Sequence, residues 1–97
     1  MNVGVCKVKL RFPENQSLKD KRRVLSSLCS RIHNMFNVAI AEVSDNHAWQ
    51  IATLGITCVS NSSQHAEHTL NTVVSYIKST RQDVELLESE VEAIYGY

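Results

Sequence analysis

The sequence predicts an α+β domain in which two helices cover one face of a four-stranded antiparallel sheet. Three observations carry this reading. Segments of period-two apolar alternation are interleaved with two segments of helical period, in the order strand, helix, strand, strand, helix, strand. Each helical segment opens on a capping sequence, Ser17 in the first and Asn61-Ser62-Ser63-Gln64 in the second. A chain of 97 residues is also long enough for one hydrophobic core and short for two, so residues 1–97 are read as a single domain.

Asn2 to Phe12 alternates strictly, with Gly4, Cys6, Val8, Leu10 and Phe12 on one face and Val3, Val5, Lys7, Lys9 and Arg11 on the other. Pro13-Glu14-Asn15-Gln16 ends this strand, because proline cannot donate to a ladder and asparagine favours turns. Ser17 then caps a helix, with Asp20 three residues on in a capping-box relation. The apolar stripe of that helix is Leu18, Leu25, Leu28, Cys29, Ile32, Met35 and Phe36. Lys19, Arg22, Arg23 and Arg31 fall off the stripe, with Lys21 at its boundary. Asn34 or Asn37 is expected to take a left-handed conformation at the helix end.

Val38 to Val43 and Ala48 to Val59 read as strands joined through Ser44-Asp45-Asn46-His47. A two-residue turn at Asp45-Asn46 would set Glu42 opposite Trp49 and Ile40 opposite Ile51. The second helix is capped by Asn61 with Gln64 and carries Ala66, Leu70, Val73 and Ile77 as its core stripe. In Asp83 to Tyr95, Leu86, Glu88, Glu90 and Glu92 alternate with Leu87, Val91, Ala93 and Tyr95 like a strand, although the glutamate content also permits a helix. Two split βαβ units of this order form the ferredoxin-like sandwich, with the first and third strands central and the fourth beside the first.

Composition narrows the function classes. An apolar content of 43% with 21% charge fits a soluble domain, no apolar run reaches the roughly 20 residues of a membrane span, and the first residues do not show a charged n-region followed by an apolar h-region. A cytoplasmic location is the expectation. Cys6, Cys29 and Cys58 are odd in number, lack C-x-x-C spacing and fall at apolar positions, which favours buried thiols over a disulfide framework or zinc ribbon. The formal net charge of zero hides a segregation: eight Lys and Arg lie at or before Arg31 and eight Asp and Glu lie after it. Such a split means either a polyanion site or two oppositely charged elements side by side. Lys7, Lys9 and Arg11 are expected across from Glu92, Glu90 and Glu88, which would neutralise much of the first strand.

The helix cations have no such partner in sight. Lys19, Lys21, Arg22, Arg23 and Arg31 can contact successive phosphates of RNA, and equally can form a solvated helix face. On the open sheet face, Val3, Val5, Val38, Ile40, Trp49 and Ile51 are expected, a lone ring among aliphatics that suits self-association better than base stacking. His65 and His68 share one side of the second helix but lack a third ligand, so no metal site is assigned. Glu42, mid-strand near Trp49, is the only candidate for a carboxylate in a perturbed environment, and pairing with a basic residue explains it best. Cys29 and His33 lie one helical turn apart, but Cys29 is on the core stripe, and neither a glycine-rich nucleotide loop nor the anion loop of acylphosphatases is present. No catalytic residue and no cofactor is assigned.

The motifs S-L-K-D-K-R-R-V-L at 17–25, F-N-V-A-I-A-E-V at 36–43 and W-Q-I-A-T-L-G-I-T-C-V-S at 49–60 resemble the YlxP-like family of small bacterial proteins. With the leading strand and its turn, the resemblance spans about residues 3–78 and leaves out the acidic tail. It implies a ferredoxin-like fold. Members of that family tend to be encoded beside genes for translation initiation, transcription elongation and ribosome maturation. The resemblance therefore implies an accessory role around ribosomal RNA or a ribosomal subunit, and supplies no catalytic residues. Two readings stand: a non-enzymatic RNA- or ribosome-associated factor docking through the first helix, and a homodimeric interaction module using the open sheet face.

Overall fold

A computed structural model describes residues 1–95. Its elements are β1 (Asn2–Arg11), α1 (Leu18–Met35), β2 (Ala39–Ser44), β3 (Ile51–Ser60), α2 (Ser63–Thr80) and β4 (Glu85–Tyr95). The four strands form one antiparallel sheet in the order β2-β3-β1-β4, with both helices on the same side, the ferredoxin-like arrangement.

The core forms where the even-numbered side chains of the central strands meet the helix stripes. Cys6, Val8, Leu10 and Phe12 of β1 and Ala52, Leu54, Ile56 and Cys58 of β3 are buried against Leu25, Leu28 and Ile32 of α1 and Ala66, Leu70, Val73 and Ile77 of α2. Gly4 belongs to the same layer. A Cβ there would stand 2.7 Å from Leu70 Cδ1 and 3.0 Å from Cys58 Sγ, so its hydrogen is what lets α2 close onto β1.

Caps fix where the helices begin. Ser17 Oγ accepts from the Asp20 amide at 3.0 Å, and Asp20 Oδ2 accepts in return from the Gln16 amide at 2.9 Å, a capping box displaced by one residue. In α2 the cap is Ser62, accepting from the His65 amide at 3.3 Å, rather than Asn61 with Gln64. The end of α1 also differs from expectation. Neither Asn34 nor Asn37 is left-handed; Phe36 is extended, its amide still bonds Ile32 O at 2.9 Å, and its ring meets Tyr76 of α2 edge-on at 6.1 Å. A packed ring thus turns the chain where a left-handed cap was expected.

The largest departure is the β2–β3 connection. Residues 45–50 form a six-residue loop instead of a two-residue turn, Asp45 alone among the non-glycine described residues has a positive φ (63°), and the ladder slips between Glu42 and Ser44. Ile40 therefore pairs with Ile56 and Glu42 with Leu54, in place of Ile51 and Trp49. The shift is by an odd number of residues, which exchanges the two faces of a strand. Val38, Ile40 and Glu42 point to the helices, and Trp49 leaves the sheet altogether.

At β4 the expected strand is present, but its register is two residues from the expected one: Lys7 faces Glu90 and Lys9 faces Glu88, neither as an ion pair, while Glu92 faces Val5. A bulge between Lys9 and Leu10 leaves Leu87 unpaired, brings Glu85 opposite Arg11 and turns Leu86 to the core, on the other face from Glu88. Arg11 and Glu85 approach to 3.5 Å.

Candidate functional site

Two surfaces carry the sequence-predicted site residues: the outer face of α1 and the open face of the sheet. On α1, the buried positions recur as Lys21, Leu25, Leu28 and Ile32. Lys19 and Arg23 point the opposite way, with Arg22 on one flank and Arg31 on the other; all four are exposed. From Lys19 to Arg31 the cations extend over about 18 Å of helix. Among the described residues, none of these four side chains takes an ion pair or hydrogen bond within the protein.

Lys21 is a correction. It is 1% exposed and sits on the core stripe, with its ammonium donating to Glu42 Oε2 at 2.8 Å, Asp45 O at 2.9 Å and Ile51 O at 3.2 Å. It has nothing left to offer a phosphate. The pair forms because the exchanged faces of β2 aim Glu42 at α1, where it meets the one cation of the buried row. A buried ammonium persists when a carboxylate and further oxygens replace its water, and here the further oxygens are loop carbonyls. The signal was in the spacing: 18, 21, 25, 28 and 32 step by three and four, and Lys21 occupies one of those steps.

The sheet face away from the helices is divided. One end is aliphatic, with Val5, Val43, Val59 and Ile94 exposed and Val3 half-buried. Val43 lies over β3, where a Cβ on Gly55 would come within 2.9 Å of its Cγ1. The other end is charged: Lys7, Lys9, Glu88 and Glu90 line a polar niche with Ser44, Asp45 and Thr53, and Thr53 Oγ1 donates to Asp45 Oδ2 at 2.6 Å. Of the expected interface residues, Val3 and Val5 are on this face, and Ile51 is half-buried at its rim opposite Arg11. Ile40 and Trp49 are not, since Ile40 packs against the core and Trp49 is in the 45–50 loop.

The remaining reactive groups are quiet. Cys6 and Cys58 are buried, and burial pushes the Cys6 thiol up to about 11. Cys29 is half-buried beside His33, but burial, with the charge of Glu42 adding to it, raises its pKa, the reverse of what activates a nucleophile. His65 and His68 are exposed, and no group of three metal-ligating side chains comes together among the described residues. Among those residues no helix is long and apolar enough to cross a membrane.

Residues 3–91 match the family described as protein of unknown function, DUF503. The chain belongs to that family. A curated relative, the uncharacterized protein YlxP of Bacillus subtilis (strain 168), is 41% identical over 77 residues, covering 79% of this chain and 84% of the relative. The YlxP-like resemblance of the helix and strand motifs is thereby established. Among solved structures, the crystal structure of an amidase of the hydantoinase/carbamoylase family from Burkholderia phymatum aligns over 97% of this chain with a TM-score of 0.55 and 14% identity. This chain spans only 28% of that one, and at such identity the likeness is one of fold.

Proposed function

We propose that this DUF503 member is a non-enzymatic RNA- or ribosome-associated factor that docks the outer face of α1 on a phosphate backbone. One observation carries the reading: Lys19, Arg22, Arg23 and Arg31 are exposed along one helix and, among the described residues, none of them has an ion pair, whereas Arg11, Lys21 and Arg81 each pair with a carboxylate. Cations that no neighbouring carboxylate neutralises release phosphate counterions on binding, an effect that depends on salt and little on sequence. Glu88, Glu90 and Glu92 of β4 lie beside β1 on the sheet face away from the helices, not on the face of α1.

The test is binding of purified protein to ribosomal subunits and to a structured ribosomal RNA fragment between about 50 and about 300 mM salt. With four phosphates contacted, log K should fall against log salt with a slope of about −3 to −4, and the Arg22→Glu/Arg23→Glu variant should lose the binding. Absence of binding at the lowest salt refutes the proposal.

A second reading has its own support, the exposed aliphatic end of the sheet face at Val5, Val43, Val59 and Ile94. That surface suits a homodimer, in which the two copies would leave both α1 helices pointing outward. Val59→Glu, at a position 65% exposed, should dissociate such a dimer without disturbing the fold, and Arg22→Glu/Arg23→Glu should leave it intact. A chain that is monomeric at all concentrations in sedimentation excludes it.

A further inference from the structure

We infer that Trp49 is a stacking platform for an unpaired RNA base whose neighbouring phosphates are taken by Lys19, Arg22 and Arg23. The inference rests on the phosphate-docking reading above and adds to it the class of ligand, a single strand. It starts from the displacement of Trp49 off the sheet. The indole is 51% exposed on the 45–50 loop, and its loop neighbours Asn46, His47 and Gln50 are polar and exposed. The ring is thus separate from the aliphatic end of the sheet.

The loop that presents the ring is tied down on every side. Trp49 O accepts from Asn15 Nδ2 at 3.2 Å, and Gln50 O accepts from the Phe12 amide at 2.8 Å. Gln50 Nε2 returns a bond to Asn15 O at 3.1 Å, and Lys21 Nζ holds the carbonyls of Asp45 and Ile51. A ring carried on a fixed backbone spares binding the cost of ordering the loop, though not of ordering the ring. These ties use the backbone of Trp49 and the side chains of its neighbours, so none of them accounts for an indole at this position.

The same ties fasten the backbone of Trp49 to the segment that leads into the basic first turns of α1. Asn15, which holds Trp49 O, is two residues before the Ser17 cap and four before Lys19, at most about 14 Å of chain. Lys21 reaches inward from the first turns of α1 to the loop, and Lys19, Arg22 and Arg23 project outward from those turns. An exposed π-face next to a short row of cations is the pairing used to bind single strands, in which the bases are free to stack. In a duplex the base faces are already occupied, so the ring would contribute nothing there.

Because Trp49 is the single tryptophan of the chain, its emission reports the contact directly. The probes are an oligouridylate of about 12 nucleotides and its duplex with oligoadenylate, titrated into wild type, Trp49→Ala, Trp49→Phe and Arg22→Glu/Arg23→Glu, with circular dichroism to establish that each variant is folded. The single strand should quench the indole, and Trp49→Ala should weaken single-strand binding about 5- to 150-fold while leaving the salt slope and the duplex affinity unchanged. Trp49→Phe should restore most of the loss. Unquenched emission with full affinity in Trp49→Ala overturns the stacking inference, and if the arginine reversal still abolishes binding, phosphate docking survives alone. If wild type binds neither probe at low salt, both readings fall.

Discussion

Lys21 is the residue whose removal should be felt most. Substituting Lys21→Met keeps the length of the side chain and deletes a donor that serves Glu42, Asp45 O and Ile51 O from a site 1% exposed. Removing one member of a buried ion pair costs about 3–5 kcal/mol. The Glu42 side chain is 22% exposed, so water can reach the stranded carboxylate in part, which points to the lower end, about 3 kcal/mol. For a domain of this size that corresponds to a fall in Tm of about 12–24 °C. Urea unfolding followed by far-UV circular dichroism measures the global loss, and Trp49 emission measures release of the loop. Lys21→Met/Glu42→Leu should regain most of the stability, because no charge is then left unpaired. A loss below about 1 kcal/mol in the single variant, with Trp49 emission unchanged, would show that the ammonium does not hold the loop.

Two further outcomes are expected. Gly4→Ala should destabilise by about 1–3 kcal/mol in the same unfolding assay, since its Cβ would press on Leu70 and Cys58, while Gly4→Ala combined with Leu70→Val should recover part of the loss. Asp83 gives a small acid limb: the Arg81 guanidinium, bonded to it at 2.8 Å, holds its carboxyl below the usual carboxylate range. A lowered native pKa means stability that is fully present above about pH 4 and lost as pH falls through the native value, so Asp83→Asn should flatten the stability profile below pH 4 by about 0.5 kcal/mol or less, the scale of a partly exposed pair.

Order, topology and most of the core were legible because they rest on periodicity, which an 18-residue amphipathic helix or a 10-residue central strand states many times over. Alternation in β1 assigned every buried position from Gly4 to Phe12. What failed was decided by single residues. Asp45-Asn46 permits a tight turn, and the longer loop that forms instead is held by tertiary partners distant in sequence: Lys21 on the Asp45 and Ile51 carbonyls, Asn15 on that of Trp49 and the Phe12 amide on that of Gln50. One odd step in that loop moved Ile40 to the core, Trp49 off the sheet and Glu42 under α1. Lys21 followed the same logic: residue type argued for solvent, helical spacing for the core, and the spacing was right because a partner waited there. The exposed cations of α1 were found correctly, as positions opposite a stripe need no partner to define them.

The slips in β2 and β4 also govern how the chain behaves in a crowd. These two strands are the margins of the sheet, and an unpaired margin is a template on which another chain can extend the ladder. β2 is six residues long and loses its ladder between Glu42 and Ser44; β4 is broken between its partners for Lys9 and Leu10 and carries Glu85, Glu88, Glu90 and Glu92. The β2 margin offers no long, flat run of free amides and carbonyls, and the longer run of β4 from Glu88 to Tyr95 carries three glutamates. Ribbon growth, the open-ended route to fibres, is thus discouraged at both ends of the sheet, and deletion of Val43 or Leu87, which would straighten a slip, is the change that exposes the chain to it.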